Sequence, residues 1–408
     1  MTRSDGSRVG ATLLLALAAA EGARRLLTPR ERPITPAPVV LREYFSPEEI
    51  DRGRRYARPQ RALGVIAGGI DLAAITALTR RPPGWLRPAG GRPVLGAAGA
   101  GAALSVALTL PTLPLAVLTR RRAIDAGLDT QGWAAWGRDQ VIAGALQSIF
   151  AAGAGAGVIA AIRRWPRSWW LAAAVGSVGL GAGLAALAPV VLAPIFNDFT
   201  PLPEGETRAD VLDLASAAGV TVGEVYSVDA SRRTTAANAY VTGLGPTKRV
   251  VLYDTLLDRY RRDEIRMVVA HELGHVRFRD VLRNLAFAAA TAPAAGLAVQ
   301  QLSGTLSAER GTPATLPGLA LAAAVVSVPL GMIGNRLSRA VERRADQYSL
   351  ELAGASDAFI SFERAIALQN VAELAPPRWV TSLLASHPPT DERIGAAVAF
   401  AERRRAVS

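Results

Sequence analysis

Cysteine is absent from the 408-residue chain. Disulfides, a thiol nucleophile and thiolate-ligated metal are thereby excluded. Lysine is almost absent: Lys248 is the only one, so nearly all the positive charge is arginine. Histidine is scarce, with three residues, and aromatic residues are 6% of the chain. Acidic side chains are outnumbered 34 to 46, which leaves a formal charge of +12. Apolar residues are plentiful. They make up half of the chain, and the mean hydropathy is positive. A hydrophobic, basic chain is what spanning helices with arginine-rich flanking loops produce. The arginines lie between apolar blocks rather than on one polar domain, so no nucleic-acid partner is expected.

Seven apolar blocks can be read, at roughly 9–27, 62–79, 94–118, 141–162, 168–195, 282–302 and 316–334. Most approach or exceed the roughly 20 residues a helix needs to cross a bilayer. The first is the weakest, since Glu21, Arg24 and Arg25 follow a short run. A cleaved signal peptide ending near Ala18-Ala19-Ala20 is the alternative to an uncleaved first helix. Small residues crowd the third to fifth blocks and suit close helix packing. Pro111, Pro114, Pro189 and Pro194 are expected to kink or end helices. Trp165, Trp169 and Trp170 beside Arg163, Arg164 and Arg167 read as an interfacial belt. Arginines in 28–61 and 119–140 outnumber those across the bilayer, so the side that holds these loops and the C-terminus is expected to be cytoplasmic, against a minority at Arg80, Arg81, Arg87 and Arg92. Asp71 is an intramembrane acid, expected to line a wet cavity or pair with an arginine.

Residues 197–281 read as a polar αββα insert. Helical spacing covers Glu206–Ala218. Strands are expected at Gly223–Val228, Ala237–Val241 and Arg249–Leu252, with a turn at Gly243-Leu244-Gly245-Pro246. A last helix, Asp263–Phe278, carries acids in its first turn and arginines near its end. Met267, Val268, Val269, Leu273 and Val276 form its core face.

That helix contains His271-Glu272-Leu273-Gly274-His275. Two imidazoles one turn apart on one face suit Zn²⁺, and the intervening Glu272 is placed to act as a general base. A catalytic zinc needs a third protein ligand and an open site. Glu342 and Asp346, one turn apart, can supply a ligand and a carboxylate that accepts from a ligand imidazole. The alternative is a solvated helix in which Arg339, Arg343 and Arg344 pair with these acids. Two apolar blocks separate His275 from Glu342. A helical hairpin there would leave and re-enter the same side and return Glu342 to the histidines. Ligation requires Glu342 well within about 6 Å of both rings, since direct bonds are about 2 Å.

The chain resembles the type I CAAX prenyl endopeptidases, integral-membrane gluzincins. The resemblance runs through Phe196–Leu202, Asn238–Gly245, Lys248–Leu257, His271–His275, Ser338–Asp346 and Ser386–Arg393, with a further echo at Tyr44-Phe45-Ser46, Glu48, Glu49 and Tyr56. It implies a mainly α, polytopic membrane protein with about seven transmembrane helices around a chamber and a small α+β zincin-like catalytic region. It implies one Zn²⁺ held by His271, His275 and Glu342, with Glu272 the base. Asp346 would orient a ligand histidine, His387 would bind the scissile carbonyl or its oxyanion, and Arg393 would support the site. Asn238, Ala239 and Tyr240 would lie on an edge strand that pairs with the substrate backbone. The divisions expected are 1–196 (helices 1–5), 197–281 (catalytic insert), 282–334 (helical hairpin) and 335–408 (third ligand and His387 loop).

The expected partner is a peptide or protein substrate, lipid-modified or membrane-associated, met by a monomer in the bilayer. The Ala/Arg/Gly-rich composition suggests a bacterial plasma membrane. A quality-control metalloprotease without prenyl specificity is the nearest rival reading. A transporter or channel-like bundle using Asp71, and an inactive scaffold, are the alternatives of other classes.

Overall fold

Each apolar block except 168–195 lies within one helix that equals or exceeds it, and 168–195 is divided between two helices by a π-helical turn. The computed structural model describes residues 3–86, 91–243, 248–307 and 309–407. The first half holds α1 (Arg3–Leu27), α2 (Leu41–Tyr44), α3 (Pro47–Arg80), α4 (Pro93–Asp125), α5 (Trp133–Arg164) and α6 (Trp169–Leu187). A π-helical turn at Ala188–Leu192 joins α6 to α7 (Ala193–Phe196). The polar region holds β1 (Phe199–Pro201), α8 (Glu206–Ala217), β2 (Glu224–Val228), β3 (Ala239–Thr242), β4 (Arg249–Tyr253), α9 (Asp254–Arg259) and α10 (Arg262–Arg277). It is followed by α11 (Asp280–Leu306), α12 (Leu316–Ala353), α13 (Ser356–Gln369), α14 (Arg378–Leu383) and α15 (Thr390–Val407).

Among the described residues six stretches, α3, α4, α5, α6 continued to Phe196, α11 and α12, are long and apolar enough to cross a bilayer. The expected first helix is present as α1 but falls outside this group, because charged residues interrupt it. It is seated on α11 and α12, with Ala16 buried against Ala298 and Val326. The small residues serve backbone contact. A β-carbon at Gly101 would lie 2.3 Å from the Ala151 carbonyl oxygen, and one at Gly155 2.6 Å from that of Ala97. Glycine is what lets α4 and α5 cross so closely. Trp169 departs from the expected interfacial belt. It is buried with Leu86 and Ile162, whereas Trp165 is exposed beneath the Arg164 guanidinium. Pro111 and Pro114 lie inside α4 rather than ending it.

The sheet runs in the order β1-β2-β4-β3. β2 and β4 are parallel, and the two outer pairings are antiparallel. The three expected strands are present; β1 is additional, and its three residues are too few to show alternation. Among the described residues β3 has a neighbour on one side only, so it is an edge. The expected turn lies outside the described residues from Leu244 to Pro246. α8 and α10 cover the sheet, burying Val211, Leu214, Val225, Leu252, Val269 and Leu273 in one core. α12 passes position 335 without a break. The rod that leaves the apolar bundle is therefore the same one that carries Glu342.

Candidate metal centre

The site starts from the two faces of α10. Glu264 caps its first turn by accepting from the Arg261 backbone N–H at 2.8 Å and from Ser361 Oγ at 2.6 Å. Val269, Ala270 and Leu273 are buried on one face. His271, Glu272 and His275 occupy the other. Gly274 sits between, and a β-carbon there would meet Tyr348 at 3.1 Å and the Ala345 Cα at 3.5 Å. Its missing side chain lets α12 lie close against α10, which brings the Glu342 carboxylate to the histidines.

The resulting geometry is tight. His271 Nε2 and His275 Nε2 are 3.1 Å apart. Glu342 Oε2 lies 3.4 Å from His271 Nε2, and Oε1 lies 3.7 Å from His275 Nε2. Nδ1 of His271 stands 2.9 Å from Asp346 Oδ1, with its N–H off the line of an ideal bond. Nδ1 of His275 is 3.1 Å from Asp280 Oδ2. Carboxylates at both Nδ1 positions favour protons there, which leaves the two Nε2 atoms facing each other as the positions that would take a metal in place of a proton. These two nitrogens and a carboxylate oxygen with no hydrogen-bond donor converge within 4.8 Å. That donor set fits a divalent cation of the zinc type. Electrostatics agree: burial opposes a charge on His271, but Asp346 and Glu342 override it and push the imidazole up to about 10. Carboxylates that hold a proton so firmly will also draw a metal. The solvated-helix alternative for Glu342 and Asp346 fails, since both are buried, as are Arg339 and Arg344.

A cleft of about 410 Å³ opens beside this cluster, bordered by Asn238, His271, Glu272, Phe362, His387 and Arg393. Burial pushes Glu272 above the usual carboxylate range, against the opposing pull of His271 and His275. A base of raised affinity for protons is suited to work near neutrality. His387 Nε2 lies 3.4 Å from Glu342 Oε2, while Nδ1 meets Ser386 Oγ at 2.8 Å. The serine hydroxyl can donate to Nδ1, which leaves an N–H on Nε2 facing the metal cluster. The loop that holds His387 is tied to α12: Arg339 Nη2 donates to Ser382 O at 2.8 Å, and Asn335 donates to the Leu383 and Leu384 carbonyls at 3.1 Å.

The other expected site residues differ in their access to the cleft. Arg393 borders the cleft with its guanidinium already paired, to Asp346 at 2.6 and 2.9 Å and to Glu363, which also borders the cleft, at 2.8 Å. It positions Asp346, which in turn holds His271. Of the three strand residues only Asn238 borders the cleft. Ala239 is buried in the core, and Tyr240 is half-buried away from it. Their backbones still form the edge. Tyr253 N–H donates to the Asn238 carbonyl, so by antiparallel alternation Ala239 and Val241 aim their backbone groups outward. The outward Ala239 N–H meets the Asn238 side-chain oxygen at 3.0 Å.

Two participants carried no readable signal. Asp280 holds His275 because Arg279 adopts a left-handed backbone, φ 56°, turning α11 sharply back. For an arginine that conformation is strained, and Arg283 and Arg344 brace the carboxylate it presents. Glu363, buried and pushed up to about 7 by that burial despite Arg393, sits in an ordinary amphipathic helix.

The profile of Peptidase family M48 matches residues 201–401. Metalloprotease YhfN of Bacillus subtilis (strain 168), itself uncharacterised, is 30% identical over 365 residues, 86% of each chain. The chain belongs to peptidase family M48. A CAAX prenyl protease 1 homolog of Arabidopsis thaliana is 33% identical over 227 residues, 51% of each chain. The match to that relative therefore spans only about half of its length. The crystal structure of S. mikatae Ste24p shares the fold of this M48 peptidase, with TM-score 0.79 at 21% identity, covering 96% of this chain and 98% of that one. Multiple spanning helices and a His-His-Glu cluster make it an integral-membrane metallopeptidase.

Proposed function

We propose that the protein is a zinc-dependent endopeptidase of membrane-associated peptides, with His271, His275 and Glu342 as zinc ligands. The observation that carries this is Glu342 within 3.4 and 3.7 Å of two Nε2 atoms whose opposite nitrogens are each held by a carboxylate. Zinc bound there supplies Lewis acidity, polarising the scissile carbonyl and lowering the pKa of a water toward about 7. Glu272 accepts the proton of the attacking water and delivers it to the departing amine. His387 donates its Nε2–H to the developing oxyanion, worth about 3 kcal/mol in comparable sites. The substrate backbone adds as a strand to β3, displacing the Asn238 side chain from the Ala239 N–H.

The catalytic end is assigned to the cytoplasm of a bacterial plasma membrane, as the arginine-rich 28–61 and 119–140 segments support. Relatives are named CAAX prenyl proteases; lipid-modified peptides are accordingly one substrate class, and unmodified membrane peptides the other. Purified protein in detergent is incubated with prenylated and unprenylated versions of one peptide, with and without a zinc chelator. Chelator-sensitive cleavage supports the assignment, and the ratio between the two peptides reads lipid dependence. Cleavage that persists when zinc is stripped refutes it.

A further inference from the structure

A second cavity of about 600 Å³ lies within the apolar bundle, bordered by Asp71, Thr109, Thr112, Gln147, Val325 and Val328 from α3, α4, α5 and α12. Asp71 is nine residues before the end of α3, and Val325 and Val328 are nine and twelve residues into α12. At about 1.5 Å per residue both helices put the cavity roughly 14–18 Å from the end opposite the metal cluster. The two threonine hydroxyls are occupied by carbonyls of their own helix. Asp71 is different: among the described residues it has no arginine, lysine or hydrogen-bond donor. An unpaired carboxylate within a membrane-spanning helix marks a functional position whose natural partner is a cation. The cavity offers that cation a carboxylate, a free amide and apolar walls, which suits the apolar stem and charged head of a lysine or arginine side chain.

We propose that Asp71 is a specificity site for a basic side chain of the peptide substrate, bound while the scissile bond lies at Glu272. The proposal rests on the peptidase reading given above. Spacing makes it specific. Val328 and Val325 are 14 and 17 residues from Glu342 along one helix, or about 21–26 Å. An extended peptide advances about 3.3 Å per residue. The basic residue should therefore fall about six to eight residues from the scissile bond.

The test uses fluorescent peptides that each carry one lysine at a different position, bound to the non-hydrolysing Glu272→Gln protein in detergent. Affinity should peak with lysine about six to eight residues from the scissile bond. Asp71→Asn, added to that protein, should weaken this peptide about tenfold and leave its norleucine counterpart unchanged. Asp71→Arg should shift the preference to glutamate at the same position. Equal weakening for every peptide, or no lysine preference in the parent, overturns the proposal. Peptides that are cleaved by the wild type without any Asp71 dependence sink this inference alone. Asp71-dependent binding of peptides that the wild type never cleaves sinks the peptidase reading instead.

Discussion

At the scale of residues, each side chain at the centre is set by the one behind it. Arg393 holds Asp346, Asp346 faces His271, and Asp280 fixes His275. Glu272 has no such task, so its removal should spare the metal. Glu272→Gln is expected to lower kcat by at least 100-fold while elemental analysis finds the wild-type metal content; substantial residual turnover would reassign the base. Asp280→Asn should act in the opposite way, weakening metal affinity about 10–100-fold, as a competition titration with a chelator would read. Unchanged affinity would mean that Asp280 is only a structural partner of Arg344. The candidate ligand histidines were readable because H-E-x-x-H places two imidazoles and a carboxylate within about one turn. Asp280 was not, because its role depends on a left-handed Arg279 that no residue preference announces.

At the scale of elements, α10 is held between α12 and α8. Against α8 an ion-pair cluster adds to the apolar contact: buried Asp210 accepts from Arg262 and from Arg266, the latter at 2.5 Å. Arg262 above all holds the Asp210 carboxyl below the usual range; burial opposes this and Arg266 assists. A depressed folded-state pKa gives stability that is present above the unfolded value, about 4, and lost as pH falls through the folded one. Asp210→Asn should therefore cost about 1 kcal/mol at neutral pH, discounted because Arg262 is half-exposed. The gap should close on acidification below about pH 4. A gap of the same size at pH 3 would show that packing, not charge, is lost. Helix periods and the three longer strands were legible. β1 was not, because it is a strand only by virtue of its pairing with β2, and the continuity of α12 through position 335 was hidden by the change from apolar to charged composition.

At the scale of the whole molecule, apolar runs foretold a helical bundle and its hairpin return, which α11 and α12 carry out. What they could not foretell is which faces meet, since small residues line both protein contacts and open cavities; Trp169 turned inward for the same reason. The absence of cysteine allows a clean topology measurement. A single cysteine at exposed Glu402, near the metal end, should react with a membrane-impermeant maleimide only after cells are opened. One at exposed Arg310, on the opposite end, should react in intact cells. The reverse pattern would invert the orientation, though not the chemistry. The centre itself is tested most directly by zinc stoichiometry in purified wild type and in Glu342→Ala. His271, His275 and Glu342 acting together predict one zinc per chain in the first and a large loss in the second at matched folded content; full zinc retained without Glu342, or none in an active wild type, would contradict the assignment.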